Sequence, residues 1–266
     1  SGGEATSSGT LANTGTKTTA SDIDSLFDAP TNGTQSDTGA GGEVSGNYCV
    51  LNPLKKGSMT LSNGNLDIVS TGSYSLALGT IGVSSGKWYF ESTINNSNGS
   101  NAIGIAKDGA DVNDYPGASD SLSWVYLKDG RKVNGSTRSS YGNSYAEGDV
   151  IGVALDADGG NLYFYKNGTA QNSGTAAYTG LTSGPYFPCV ADDSNTNQID
   201  QSLNFGQRPF AYSAPSGYKA LCTTNLPTPT IADGSDYHDT LLYTGNGASS
   251  RTISGYSFSP DFLWVK

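Results

Sequence analysis

A chain of 266 residues with a formal net charge of −10 and only 14% charged residues excludes several classes of protein. Phosphate binding needs clustered Lys and Arg, so nucleic acid is not an expected partner. No run of roughly eighteen or more apolar residues occurs, so no helical membrane insertion is expected. With Gly 36 and Tyr 16 against Met 1, the composition describes strands joined by many tight turns. The length suits one large or two small domains.

Residues 1–47 are dominated by Gly, Ser, Thr, Asn and Asp. They carry little apolar surface and are expected to be extended or flexible, lying along a neighbour where ordered. Their one helical candidate is a single turn over 20–27, capped by Ser21 or Asp22 and docked through Ile23, Leu26 and Phe27. The chain opens on Ser1, so it is expected to begin inside a longer polypeptide or after processing.

The ordered domain is expected to open at 48–54. Short strands follow at 59–61, 65–69 and 74–78 between Ser-Asn-Gly and Thr-Gly turns. Further on, residues 145–168 read YAEGDVIGVALDADGGNLYFYKNG. Val150, Val153 and Leu155 interleave with small residues on the first arm. On the second, Leu162, Phe164 and the stem of Lys166 share one face, with Tyr163 and Tyr165 on the other. This period of two places one face on a core and leaves the other to solvent or a partner. Asp158-Gly159-Gly160 supplies a hairpin turn and Asn167-Gly168 a second one. Residues 215–239 read as a linker stiffened by Pro227 and Pro229. Residues 240–266 read as the start of a second β module. There Phe262, Trp264 and Lys266 alternate with Leu263 and Val265, and such a strand needs partners, expected from another chain.

Chemistry-bearing residues are sparse. Cys49, Cys189 and Cys222 have no CxxC spacing and His238 is the single histidine, so no metal site is expected and the cysteines read as buried thiols. One disulfide with a leftover thiol stays open. His238, beside Asp236 and Asp239, lies in a polar linker and reads as solvated rather than as a catalytic base. The aspartates show no spacing that singles out a glycosidase pair. Asp156 and Asp158 are explained by a strand end and a turn, while 192–195 (DDSN) offers oxygen ligands for calcium as a minority reading. Lys128, Arg131 and Lys132 read as a solvated hairpin tip. No catalytic residue and no cofactor are expected.

The order of residues in 148–168 resembles the central signature of SPRY domains. Residues 86–91 (GKWYFE), 102–106 (AIGIA), 184–190 (GPYFPCV) and 203–210 (LNFGQRPF) resemble further blocks of that family in the right order. The resemblance covers roughly 48–214. It implies an all-β, antiparallel two-sheet β-sandwich that binds proteins or peptides through loops at one edge. Residues 37–54 and 239–266 resemble segments that flank SPRY-like domains in tail-fibre and other virion-surface proteins of marine bacteriophages.

What the resemblance implies is therefore a non-enzymatic module on a virion surface that reads a host glycan or surface protein. The alternative is a structural decoration or assembly module with no ligand of its own. Other virion subunits are expected partners, in a homo-oligomer of which a trimer is one form. Candidate ligand loops are 107–120, 126–145 and 192–198. Within them Tyr115, Tyr126, Tyr141 and Tyr145 offer flat faces with a hydroxyl, and Asp192 and Asp193 offer carboxylates. Trp88 and Trp124 read as core residues.

Overall fold

The structure is a computed structural model that describes residues 36–266 apart from 45, 97, 117–119, 229–232, 257, 260, 263, 265 and 266. The expected helical turn at 20–27 lies outside the described residues. The chain divides into two units, Ser1–Leu226 and Pro227–Lys266.

In the first unit, the expected hairpin supplies two adjacent antiparallel strands. β10 (Val150–Asp156) pairs with β11 (Asn161–Lys166) in a register running from Ile151 opposite Lys166 to Asp156 opposite Asn161. The Asp/Gly turn closes through Asp156, whose Oδ1 accepts from the Gly159 N–H at 2.8 Å. On its other side β10 pairs with β5 (Lys87–Ile94), the centre of this sheet. Beyond β5 come β14 (Asp200–Asn204), β3 (Asp67–Ser70) and β2 (Met59–Ser62), while β12 (Thr169–Ala170) edges β11. Where β14 leaves β5, β15 (Lys219–Ala220) takes its place in parallel, opposite Trp88 and Tyr89.

The facing sheet has seven strands. In order they are β1 (Leu51–Lys56), β4 (Ser75–Gly79), β13 (Phe187–Asp192), β6 (Asn101–Ala106), β7 (Ser123–Leu127), β8 (Arg131–Asn134) and β9 (Thr137–Ser140). Between the sheets lies the main core, in which Ile103, Tyr126, Val153, Phe164, Val190 and Phe205 are buried. Trp88 is buried in it and Trp124 packs against it. This is the all-β, two-sheet antiparallel sandwich that the resemblance to SPRY domains implies.

Both outer faces of the sandwich are covered as well, which the strand periodicity did not anticipate. β4 and β6 are buried at every position, the signature of strands enclosed on two sides. Over the seven-stranded sheet, Ala110, Val112 and Leu122 of the 107–122 loop meet Leu76, Val125 and Ala191. The loop is tied down by Leu76 N–H to Val112 O at 2.9 Å and by the Lys55–Asp108 ion pair at 3.0 Å.

Over the other sheet the cover comes from the two ends of the unit. Gly42 N–H donates to Gly206 O and Phe210 N–H to Ala40 O, both at 2.8 Å, and Val44 and Tyr48 pack with Tyr89, Phe210 and Ala220. Tyr163 and Tyr165 pack against that cluster and are partly buried by it. Two expected boundaries shift as a result. The described residues from Asp37 to Asn47 fold onto their own sandwich, and the sandwich runs to Leu226, because Asp37 Oδ2 accepts from Ala220 N–H (2.8 Å) and Asn225 Nδ2 (2.7 Å).

In the second unit the described residues contain one 3-10 turn, Gly234–Asp236, started by Asp233 accepting from Ser235 N–H, and no strand. The β module expected over 240–266 is therefore not formed among them, and 263, 265 and 266 of its last strand lie outside the described residues. Leu242, Phe262 and Trp264 are exposed.

Candidate functional site

The loops expected to carry the ligand residues split into a structural set and a surface set. Tyr126, Tyr141 and Tyr145 were expected as exposed anchors, but they are 0%, 7% and 2% exposed and belong to the main core. Their hydroxyls are committed inward. Tyr126 Oη donates to Asn143 O, Tyr141 Oη to Thr175 O (3.0 Å), and Tyr145 Oη to Asn101 O (2.8 Å) and Tyr126 O (3.1 Å). The Tyr126 ring stacks on Phe164 with centroids 5.2 Å apart and meets Tyr141 edge-on at 5.6 Å. Burial raises the pKa of all three, that of Tyr141 to about 12. A ring enclosed on both faces has no surface left for stacking on a sugar.

Asp192 is likewise internal, with 0% exposure. Its Oδ2 accepts from Ser70 Oγ at 2.5 Å and its Oδ1 from Ser194 N–H at 3.0 Å, while Ser70 Oγ accepts from Ile199 N–H at 2.9 Å. The carboxylate thus ties the 193–199 loop to β3. Desolvation pushes its pKa up to about 6 despite the Ser70 hydrogen bond. The calcium reading of 192–195 loses its ligands here, since Asp193 turns to a different partner. The basic group is corrected too. Lys132 is not a solvated tip: its Nζ donates to Ala177 O and lies 5.0 Å and 5.8 Å from the ring centroids of Tyr178 and Tyr141, and burial lowers its pKa.

Tyr115 and Asp193 form the surface set, and a residue that went unnoticed, Arg138, joins them. Arg138 Nη1 and Nη2 reach Asp193 Oδ2 and Oδ1 at 2.5 and 2.7 Å, and its guanidinium lies 5.7 Å from the Tyr115 ring centre. Tyr115 in turn meets Tyr74 edge-on at 5.8 Å. The hydrogen bonds to Asp193 hold the Arg138 pKa above its ordinary value. A two-pronged ion pair of this kind fixes both loops in one geometry.

Asp193 also borders a cleft of about 430 Å³ between three segments: residues 98–101, the 127–129 turn and residues 144–145. Asn98, Lys128, Asp129 and Ser144 line it with polar groups, and Asn101 lies at its side with 0% exposure. Asp129 is held by Arg131 through Nε at 2.7 Å and Nη2 at 2.5 Å. Burial works against its charge, but the Arg131 hydrogen bonds prevail and keep its pKa below the ordinary value. Residue 99 must be glycine, because a Cβ there would come within 2.5 Å of Gln198 O and 2.7 Å of Asn96 Oδ1. That close approach lets the loop reach Asn101, whose Nδ2 donates to Asn96 Oδ1 at 3.2 Å and Gly99 O at 3.4 Å. Asn101 Oδ1 is buried and has no hydrogen-bond partner. Leaving such an oxygen unpaired costs about 1–3 kcal/mol, which native structures rarely tolerate without a reason. Nothing in the local sequence announces Asn101, since its partners lie in the preceding loop and its value depends on the tertiary enclosure.

Cys49, Cys189 and Cys222 are all buried, and burial raises the Cys49 thiol to about 11. Among the described residues, no three His, Cys, Asp or Glu side chains gather as they would around a metal ion.

Against known proteins, residues 87–208 match the family model of the SPRY domain. The E3 ubiquitin-protein ligase RKP of Arabidopsis thaliana is 33% identical over 142 residues, 51% of this chain and 10% of that protein. Ran-binding protein 9 of Danio rerio is 30% identical over 130 residues, 48% of this chain and 21% of that protein. The aligned part therefore spans only a tenth to about a fifth of these relatives. The crystal structure of the SPRY domain of human HERC1 aligns at a TM-score of 0.49 with 21% identity, covering 57% of this chain and 96% of that one. The matched span takes in β5, β6, the β10–β11 hairpin, β13 and β14, the strands on which both the core and the cleft are built. Within its two-sheet sandwich, the chain carries a SPRY domain.

Proposed function

We propose that this chain is a binding module that engages a partner through the cleft beside Asn101 and the adjoining Tyr115–Arg138–Asp193 surface, without chemical turnover. The observation that carries this reading is the cleft itself: three loops converge on a polar opening whose walls are held by Asp193–Arg138, Asp129–Arg131 and Tyr145. Rigid strands presenting loop-borne polar groups are the usual physical basis of recognition. A relative that is by its name Ran-binding agrees with a partner-binding role. On this reading the module stands on a virion surface and its partner is a host surface protein or glycan; what supports this is the resemblance of the flanking segments to those of phage fibre proteins.

The test is direct. The purified chain is screened on peptide and glycan arrays beside its Ser144→Trp variant, which sets a bulky ring at an exposed position on the cleft wall. Binding that the variant abolishes while the thermal transition stays put supports the reading. Hydrolysis of an array ligand, or binding indifferent to Ser144→Trp, overturns it.

The second unit favours an additional assembly role. Leu242, Phe262 and Trp264 are 104%, 81% and 85% exposed, far more apolar surface than an isolated segment keeps without cost. On this reading the segment packs against other subunits of a symmetric homo-oligomer, such as a trimer. Sedimentation of the whole chain and of one ending at Leu226 distinguishes the two. A larger assembly formed only by the whole chain is expected, and a monomer at all concentrations counts against it.

A further inference from the structure

We propose that Asp192 and Asn101 form a proton-operated latch on the 193–199 loop. In its neutral form the Asp192 carboxyl donates a hydrogen bond to Asn101 Oδ1 and holds the loop closed, and loss of that proton frees it. The consequence for the cleft rests on the binding reading above, whereas the latch itself is tested without a ligand.

Asp192 on β13 stands directly opposite Asn101 on β6, in the same register that sets Val190 against Ile103. Val190 and Ile103 belong to the core between the sheets, so the alternation along each strand turns Asp192 and Asn101 to that same inner side. Directly opposed residues have Cβ atoms about 4.5–5.5 Å apart, within reach of two short polar side chains. Both residues are 0% exposed, so whatever completes their hydrogen bonds comes from inside the fold.

The other partners of Asp192 are already provided for. Ser70 Oγ receives Ile199 N–H at 2.9 Å and Gly72 N–H at 3.5 Å, so its own hydrogen goes to Asp192 Oδ2 at 2.5 Å. Ser194 N–H can only donate, and does so to Oδ1 at 3.0 Å. Ser75, opposite Asp192 on β4, gives its hydroxyl hydrogen to Ser73 O at 2.9 Å. Asn101 turns Nδ2 to Asn96 Oδ1 and Gly99 O, which leaves its Oδ1 an acceptor without a donor. A carboxyl that keeps its proton has one O–H to give, and this oxygen lacks one.

The proton acts on the loop through its neighbours. Asp193 donates its N–H to Ser100 O at 3.0 Å, binds Arg138 through its carboxylate and borders the cleft. Ser194 Oγ receives Thr196 N–H and Asn197 N–H, both at 3.1 Å. An ionised Asp192 in this enclosure is a charge kept from water, and opening the loop hydrates it. Ser70 on β3, Ser75 on β4 and Asn101 on β6 face it as neutral groups. Its charged neighbours are Asp193, which adds repulsion, and, beyond it, Arg138 on β9, which is turned to Asp193. Tyr145, bonded to Asn101 O, stays neutral because burial holds its pKa well above 10. The folded pKa of Asp192, about 6, lies above the ordinary 3.8. The latch is therefore strongest below about pH 3.8 and is lost as pH rises through 6.

Amide exchange and NMR titration of the whole chain test this. After correction for intrinsic rates, exchange at 194–199 is expected to accelerate on the order of a hundredfold from pH 4 to pH 7, about tenfold for each unit of the Asp192 shift. Asp192→Asn offers a fixed amide donor to Asn101 Oδ1 and is expected to keep the loop protected with no such acceleration. The same pH dependence in both proteins overturns the latch. The Asn101 assignment is read from the Asp192 carboxyl carbon, whose midpoint is expected to fall in Asn101→Ala because the neutral form loses its acceptor. An unchanged midpoint there, or a fall in Ser75→Ala instead, overturns that assignment. Should Asn101→Ala fail to fold, the wild-type Asn101 side-chain carbonyl carbon decides. It is expected to titrate with the midpoint of Asp192, and a stationary signal sinks the pairing. Absence of any partner for the cleft would remove the binding reading and leave each of these results as it stands.

Discussion

Arg138 on the edge strand β9 grips Asp193, just beyond β13, through both arms of its guanidinium, at 2.5 and 2.7 Å. The two residues stand four strands apart in the seven-stranded sheet. The pair crosses the outer face and carries the Tyr115 ring against it. It is only partly exposed, 29% for the Arg138 side chain and 10% for that of Asp193, so solvent screens it less than an ordinary surface pair. Arg138→Lys replaces a planar fork by a point charge and is expected to cost about 1–2 kcal/mol in urea unfolding. A double-mutant cycle with Asp193→Asn should return a coupling of the same order. A coupling near zero would show that the pair positions nothing.

The tyrosines of the 126–145 region should behave as core residues. Tyr141→Ala removes a ring packed on Tyr126 and Phe164 and is expected to cost about 3–5 kcal/mol, well beyond what an exposed loop residue costs. Tyr145→Phe keeps the ring and deletes only the hydroxyl shared by Asn101 O and Tyr126 O, an expected loss of about 1 kcal/mol. Thermal unfolding of both variants decides the matter, and an unchanged transition for Tyr141→Ala would contradict its burial.

Asp192 predicts a definite pH signature. Its folded pKa of about 6 lies above the ordinary 3.8, so the folded state favours the protonated form. The group therefore contributes stability that is fully present below about pH 3.8 and is lost as pH rises through 6. With about 1.36 kcal/mol for each pKa unit, the wild type should gain on the order of 3 kcal/mol from this residue between pH 7 and pH 4. Asp129, Asp149 and Asp156 act in the opposite sense. Burial opposes their charge, but the hydrogen bonds and cations beside them hold each pKa below 3.8, and their contribution is lost only at lower pH. The stability difference between wild type and Asp192→Asn should thus shift in favour of the wild type on acidification from pH 7 to pH 4. Parallel curves for the two proteins would show that the Ser70 hydrogen bond cancels the desolvation.

The β10–β11 hairpin was legible in the chain because its information is local: a period of two, an Asp/Gly turn and a closing Asn-Gly. Leu162 and Phe164 face the core as that period demands. The same rule put Tyr163 and Tyr165 on the opposite face, where they lie, but it could not show that Val44, Tyr48 and Phe210 from remote parts of the chain partly cover that face. The candidate site was legible only in outline. Tyr115 and Asp193 do lie together at the surface, but what joins them is Arg138, which is 55 residues from Asp193 in sequence. Tyr141 and Tyr145 stand among Gly, Asn and Ser, a setting that reads as loop, whereas Tyr126 lies between Val125 and Leu127 in β7, at the start of the segment that reads that way. Only the folding of that segment over Phe164 turns them inward. Asn101 carried no signal at all, because an unpaired oxygen is a property of enclosure.

The N-terminal strap offers the sharpest single-residue test of how the sandwich is closed. Gly41 adopts φ +76° and bridges to Pro209, and a Cβ there would come within 2.6 Å of Arg208 O and 2.8 Å of Phe210 N. Both obstacles are backbone, which cannot swing aside as the end of a side chain can. Gly41→Ala therefore has to bear a disfavoured backbone conformation and push 208–210 outward, disturbing the Ala211 and Tyr212 N–H groups that donate to the buried Glu91 at 2.8 and 2.9 Å. The expected cost is about 2–4 kcal/mol, with faster amide exchange at 210–212 and 219–222 and little change in the β10–β11 hairpin. A strap that merely rests on the domain would give a different result, with exchange accelerated only at 37–47 and global stability untouched.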